Sequence, residues 1–487
     1  MSLTRTIAHQ TIIQIAAKIF SVVLGVLTIG FITRYLGQEG YGHYTTAISF
    51  VFFFAVVADL GLYFITITEL GKPGVDAKEI FSNTFTIRIC ASLITMLAAA
   101  VIVLFFPYPA IVKQGVMIVT VSTLANLLDQ LHVTIFQKHL KMYRVAIAEI
   151  VGKAAILAGS IIAIAYGASL LALLWVVAFG YVLHFFINFI GARRLLPYTL
   201  RVDLAVWKRI LTRSWPVALS GLFVIIYFKM DTILLSLLRP AAVAQKEVGI
   251  YGAAYKVLEV LVTFPSVFLG LIMPQLAHAF AAGDRARFQR IFQKAFNFFS
   301  LITLPMVAVF LVLAEPIILL VAGPDFTVSA PVLKILIIAT GIIYLTHLSV
   351  YGVVAIEQQR RMMPNYIIGA VGSVIAYLIT IPRYSYFGAA WTTVAVELFI
   401  GIAATWVVWR IIPMHLHLSV LAKAACASVL MAAVIVFLHA GLWTSLAVGG
   451  FVYAAVLLLT KGITKAQIKE IMQLRTEPAS PQEQSPS

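Results

Sequence analysis

Six cations (Lys18, Arg88, Lys153, Lys229, Lys256, Lys334) and six carboxylates (Asp59, Asp129, Glu149, Asp231, Glu259, Glu397) fall inside stretches that are otherwise apolar. At the centre of a bilayer each such group costs roughly 2.5–3.5 kcal/mol, so each calls for a physical account. Cations lining a water-filled cavity would bind an anionic head, and carboxylates there would titrate or bind a coupling ion. Their equal number also allows a simpler reading, in which they neutralise one another as ion pairs without any substrate.

The elements that position these groups are read from composition. Of 487 residues, 62% are hydrophobic and 11% charged, with a mean hydropathy of +1.00. This marks an all-α polytopic membrane protein, because the apolar runs have the roughly 20-residue length of a membrane helix and not the roughly 10-residue alternation of a barrel strand. About fourteen spans are expected, from near residue 10 to near residue 460. The net charge of +16 reflects topology, not nucleic-acid binding. Of the 35 Lys and Arg, only Arg34, Lys113, Arg239, Lys246 and Arg383 fall in loops opposite the N-terminus, which places both termini in the cytoplasm. The first span contains Gln14 and Lys18 and lacks a small-residue cleavage pattern, so it is expected to stay in the fold.

The chain repeats itself. GQEGYGHY (37–44) is echoed by KEVGIYGAAY (246–255), and Leu60-Gly61-Leu62 by Leu269-Gly270-Leu271. Ile80-Phe81 with Phe85 recurs as Ile291-Phe292 with Phe296, then Lys141-Met142 as Arg361-Met362 and Tyr166-Gly167 as Phe387-Gly388. The offset is about 210 residues and grows to about 220, as a loop insertion would make it. Two pseudo-symmetric six-helix lobes follow, residues 1–200 and 201–412, with a terminal hairpin over 413–461 and a cytoplasmic tail over 462–487 that is partly disordered by composition. The second lobe opens on RVDLAVWKRILTRSW, where Leu204, Trp207, Ile210 and Leu211 share one helical face. This predicts an amphipathic helix on the inner leaflet, or a basic linker that only sets topology.

Helix rise sets which charges share a depth. Lys18 and Asp59 are level, as are Asp231 and Lys256, while Glu149 and Lys153 are spaced i,i+4. The offset puts Lys229 one residue from the duplicate of Lys18, so these two are the first candidates to face a substrate across the cleft. Arg88 either joins them or snorkels to the surface. Arg34 and Arg239, at outer helix ends, are placed to guide a substrate head or simply to be solvated. Asp59 has no twin, since Phe268 occupies its repeat position. It is a candidate for ion coupling or a local partner of Lys18. His132, His184 and His347 fall within spans, as proton relays or as helix-bonded residues. Cys90 and Cys426 read as small buried apolar residues, giving no disulfide framework and no metal site. No Walker A loop, GxSxG elbow or HExxH motif is present, so neither ATP hydrolysis nor catalysis is expected.

The segments RYLGQEGYGHYTTAISFVFFFAVVADLGL and KMDTILLSLLRPAAVAQKEVGIYGAAYKVLE resemble the polysaccharide-biosynthesis (Wzx-type, O-antigen) flippases of the multidrug/oligosaccharidyl-lipid/polysaccharide exporter superfamily. The resemblance implies fourteen helices in two lobes that rock to carry a polyprenyl-pyrophosphate-linked oligosaccharide from the inner to the outer leaflet of a bacterial or archaeal cytoplasmic membrane. It implies a cationic cavity with Lys18, Arg88, Lys229 and Lys256 as substrate residues, to which Arg34 is added from its place at the outer end of the first helix, and Asp59, Asp231 and Glu259 as coupling or pairing acids. No cofactor is implied beyond a coupling H⁺ or Na⁺. Partners would be the lipid-linked sugar, membrane lipids, a polymerase and glycosyltransferases, with no nucleic acid. The alternatives are a multidrug or cation antiporter of the same superfamily and a peptidoglycan lipid II flippase.

Overall fold

The structure is a computed structural model that describes residues 3–72 and 74–462; among them there is no strand. The tail beyond 462 lies outside the described residues. The helices are α1 (Leu3–Asp59), α2 (Leu62–Leu70), α3 (Ala77–Ile102), α4 (Ala110–Lys138), α5 (Met142–Ala165), α6 (Leu170–Leu195) and α7 (Leu204–Leu238). They continue as α8 (Ala241–Ala281), α9 (Arg285–Val312), α10 (Ala314–Val321), α11 (Ala330–Ala355), α12 (Gln359–Ile411), α13 (Ser419–Leu438) and α14 (Leu442–Leu459). Twelve helices among the described residues are long and apolar enough to cross a membrane, and two of these segments run 55 and 53 residues. That is about twice what roughly 30 Å of hydrocarbon needs. Each folds back on itself at a residue with positive φ, Gly37 (65°) in α1 and Ser385 (53°) in α12. With these two divided there, fourteen apolar helical legs of membrane length lie among the described residues.

In one lobe α4 packs on α6, α3 and α1, with α5 on α6 and α1; in the other α11 packs on α12, α8 and α9, with α12 on α7. The α13–α14 hairpin rests on α9, where the Tyr453 hydroxyl donates to Leu301 O (2.7 Å).

The two lobes meet at the repeated glycine-containing motif. A Cβ on Gly42 would stand 1.7 Å from Gln245 O, and one on Gly249 would stand 1.8 Å from Gln38 O. Only glycine permits this approach of α1 to α8. The contact is reciprocal: Gly42 with Gly249 and Gln38 with Gln245 are each 207 positions apart. The contact register is therefore 207, and not the roughly 210 given by matching Tyr41-Gly42 to Tyr251-Gly252. Around it the Thr46 hydroxyl donates to Gln245 Oε1 (2.8 Å), Tyr108 OH meets Ser236 Oγ (2.9 Å), and Gln38 Nε2 donates to the Asp325 carbonyl. All of these lie on the face that carries Gly37, so the lobes are sealed there.

The stretch read as an inner-leaflet helix or a basic linker packs its apolar face on protein. Val206 and Ile210 are buried, and Trp207 and Leu211 pack with them against Leu62, Leu70, Ile80 and Phe81 of α2 and α3. Leu204 alone of the predicted face stays exposed. Cys90 and Cys426 are free and exposed, correcting the expectation of burial.

Candidate functional site

Beneath the seal is a cavity of about 600 Å³ lined by both lobes. Its cations are Lys153 of α5, Lys229 of α7 and Lys256 of α8, and its carboxylates are Asp59 and Glu259. Hydroxyl and amide side chains such as Thr28, Ser49, Ser122, Asn126 and Gln130 line the first-lobe wall, with Phe52, Tyr44, Tyr181 and Tyr255 supplying aromatic surface.

The charges are organised as two triads. In the first lobe Glu149 sits between two lysines, Lys18 (3.1 Å) and Lys153 (3.7 Å), and accepts from Ser21 Oγ (2.6 Å). In the second Glu259 takes Lys256 (3.0 Å) on one oxygen and touches Lys229 with the other. Lys229 is further held over the rings of Tyr255 (4.6 Å) and Phe52 (5.8 Å). Each triad has two lysines and one carboxylate, hence one positive charge more than its own pairing consumes. Asp59 adds none, because Arg88 neutralises it at 2.6 Å. The site carries about two uncompensated positive charges in a partly dry space, where each is worth more than in water.

The depth-matched pairs of the sequence are replaced. Lys18 pairs with Glu149, not Asp59, and Asp59 takes Arg88. Asp231 is buried with Tyr251 OH (2.6 Å) and the Thr232 amide (2.6 Å), not with Lys256. The direction a side chain takes around its helix decides the partner. The i,i+4 contact of Glu149 with Lys153 is present. Lys18 stands 19 residues before Gly37 whereas Lys229 stands 10 before Arg239, so these two are not counterparts across the cleft, and Lys18 does not line the cavity.

Neither arginine named for the substrate enters it. Arg88 neither snorkels nor lines the cavity; it is 0% exposed. Truncating it strands Asp59, so R88A is expected to cost about 3–5 kcal/mol. D59N in turn strands the fully buried guanidinium, so a thermal-unfolding series in detergent should place both R88A and D59N well below wild type. Arg34 caps the carbonyl end of α10, donating to Leu319 O (2.9 Å) and Leu320 O (2.7 Å) from the other lobe. Gly323 (φ 98°) makes room, since a Cβ there would stand 2.7 Å from Arg34 Cγ. Arg239 is clamped by Glu247 (2.6 Å). The residue that sequence reasoning undervalued is Lys153, treated only as a pairing partner. Its signal was the Glu149-x-x-x-Lys153 spacing together with Lys18, three charges of which two are positive.

The sequence pattern of a family described as "Polysaccharide biosynthesis protein" matches residues 7–280, more than half of the chain. No curated protein sequence matches it. Among solved structures, a lipid II flippase MurJ in an inward closed conformation superposes with a TM-score of 0.77 at 16% identity, covering 91% of this chain and 98% of that one. An inward-facing multidrug resistance MATE family transporter gives 0.65 at 13%, covering 82% and 97%. A MOP superfamily transporter from Pyrococcus furiosus gives 0.60 at 12%, covering 83% and 95%. At these identities the likeness is one of fold.

Proposed function

The chain belongs to the polysaccharide biosynthesis protein family, and from that premise we propose that it is a flippase for polyprenyl-pyrophosphate-linked oligosaccharide. It moves this lipid from the inner to the outer leaflet of the cytoplasmic membrane by alternating access, coupled to an ion, to supply cell-surface polysaccharide synthesis. The Gly37 face is then external, and the sealed seam belongs to the state that loads from inside.

The observation that carries this reading is the charge count of the two triads. A pyrophosphate diester bears two negative charges, which match the two lysine charges left over by Glu149 and Glu259. The hydroxyl- and amide-rich wall suits a sugar, and the lipid chain stays in the bilayer. A cavity with excess positive charge disfavours the cationic cargo of a drug antiporter, by like-charge repulsion in a space of reduced dielectric. A second reading, lipid II as cargo, is supported by the extent of the superposition on the lipid II flippase.

The test offers lipid-linked oligosaccharide, lipid II and a cationic dye in parallel to proteoliposomes. Flipping of the oligosaccharide lipid is expected; transport of the dye alone overturns the proposal. A further expectation concerns E259Q, which frees both lysines of the second triad. Binding of a short-chain prenyl diphosphate should tighten by about tenfold, or ~1.4 kcal/mol, while turnover slows because release is impeded. Titration calorimetry beside flipping rates checks both.

A further inference from the structure

Behind the first triad lies a polar cluster that the cavity does not use. Asp129 of α4 is 3% exposed, its Oδ1 accepting from Asn188 Nδ2 (2.9 Å) and its Oδ2 standing 3.5 Å from His184 Nε2. Asn188 Nδ2 is also 3.2 Å from His184 Nε2, and Asn188 Oδ1 is buried without a partner. No lysine or arginine among the described residues pairs with Asp129. With Asp129 ionised and His184 neutral, the cluster is a buried anion without a counter-charge, a costly state. One proton, on either group, makes the pair neutral as a whole.

The cluster is wired to the cavity through packing. His184 lies against Gly152 of α5, where a Cβ would stand 2.9 Å from the His184 Cβ. Gly152 sits between Glu149 and Lys153, and Lys153 lines the cavity. The charged groups facing the pair are therefore Glu149 and Lys153 on α5 and, through Glu149, Lys18 on α1. On α4 itself His132 turns away to Tyr198 OH (2.7 Å), and Arg88 of α3 is engaged by Asp59.

We propose that Asp129 and His184 form a proton-binding site whose occupancy is linked to anion binding at Lys153. An anion on Lys153 cancels positive charge beside His184 and so favours the protonated pair; by reciprocity a proton on the pair tightens anion binding. The proton site stands on its own geometry, while the linkage rests on the cavity holding a diphosphate as argued above.

The two parts are tested separately on the full chain in lipid nanodiscs. Without ligand, infrared difference spectra between about pH 5 and pH 8 should show a carboxylic-acid or imidazole band that D129N removes and H184Q alters. No such band, or one unchanged in both variants, overturns the site. With a short-chain prenyl diphosphate as probe, the gain in wild-type affinity on acidification should exceed that of D129N by about fivefold, the probe's own titration being common to both. An identical pH dependence in the two proteins overturns the linkage. Failure of the probe to bind either protein overturns the reading of the cavity and with it the linkage, and the infrared result still decides the proton site.

Discussion

Replacing Lys229 and Lys256 together by alanine is expected to reduce flipping by about 100-fold, the equivalent of ~3 kcal/mol. The double substitution does more than remove two donors. It strands Glu259, so the local charge passes from +1 to −1 and a pyrophosphate head meets repulsion where it met attraction. Unpaired, the carboxylate also weakens the second lobe. Adding E259Q separates the two effects: the triple variant should regain thermal stability and remain inactive. Initial rates in proteoliposomes, normalised to folded protein, make the measurement, and a K229A/K256A protein that keeps a third of wild-type activity would falsify the role given to this triad.

The second large effect concerns the seam. Thr46 and Gln245 touch across the lobes (2.8 Å), beside the Gly42–Gly249 crossing. Cysteines at these two positions, bridged by a short bis-methanethiosulfonate reagent that spans the reach of the lost Gln245 side chain, should stop transport, with recovery on reduction, because the proposed alternating access requires the seam to part. Gly249→Leu acts in the opposite sense. Its side chain cannot fit against Gln38 O, so the sealed state is lost and the T46C/Q245C crosslink should no longer form. Full transport by the crosslinked protein would show that the seam is a fixed contact.

How much of this could be read from the chain depends on which variable carried the information. The Tyr-Gly echo was legible as a duplication, but that its glycines are where the two copies meet became visible only in the structure, where a Cβ would strike the facing backbone. Of the substrate cations the family resemblance named, Lys229 and Lys256 meet in space, on Glu259 that it gave as a coupling or pairing acid, while Lys18 and Arg88 lie elsewhere. What could not be read was azimuth. Lys18 and Asp59 are level along their helices yet point to different neighbours, Glu149 and Arg88, because rotation about each axis is set by packing that leaves no mark in the local pattern. The six-to-six balance of charges concealed the local excess for the same reason: neutrality was satisfied by summing over groups that never meet, such as Glu397, which is buried and outside every ion pair among the described residues.

The segment joining the lobes carries one more implication. Thr199, Arg201 and Asp203 donate their backbone amides to Ser82, Thr86 and Asn83 of α3, and Arg213 binds Glu69 of α2. The first turns of α7 are thus riveted to one lobe, while Tyr227 further along accepts a bond from Tyr377 of the other. If the lobes rotate as the proposed transport cycle requires, the rotation is absorbed as torsion within a single helix, between Arg213 and Tyr227. Pro216 lies in that interval and brings no amide hydrogen to the ladder. In that cycle the interval would work as a torsion bar, whose stiffness sets how steeply energy rises with the angle between lobes.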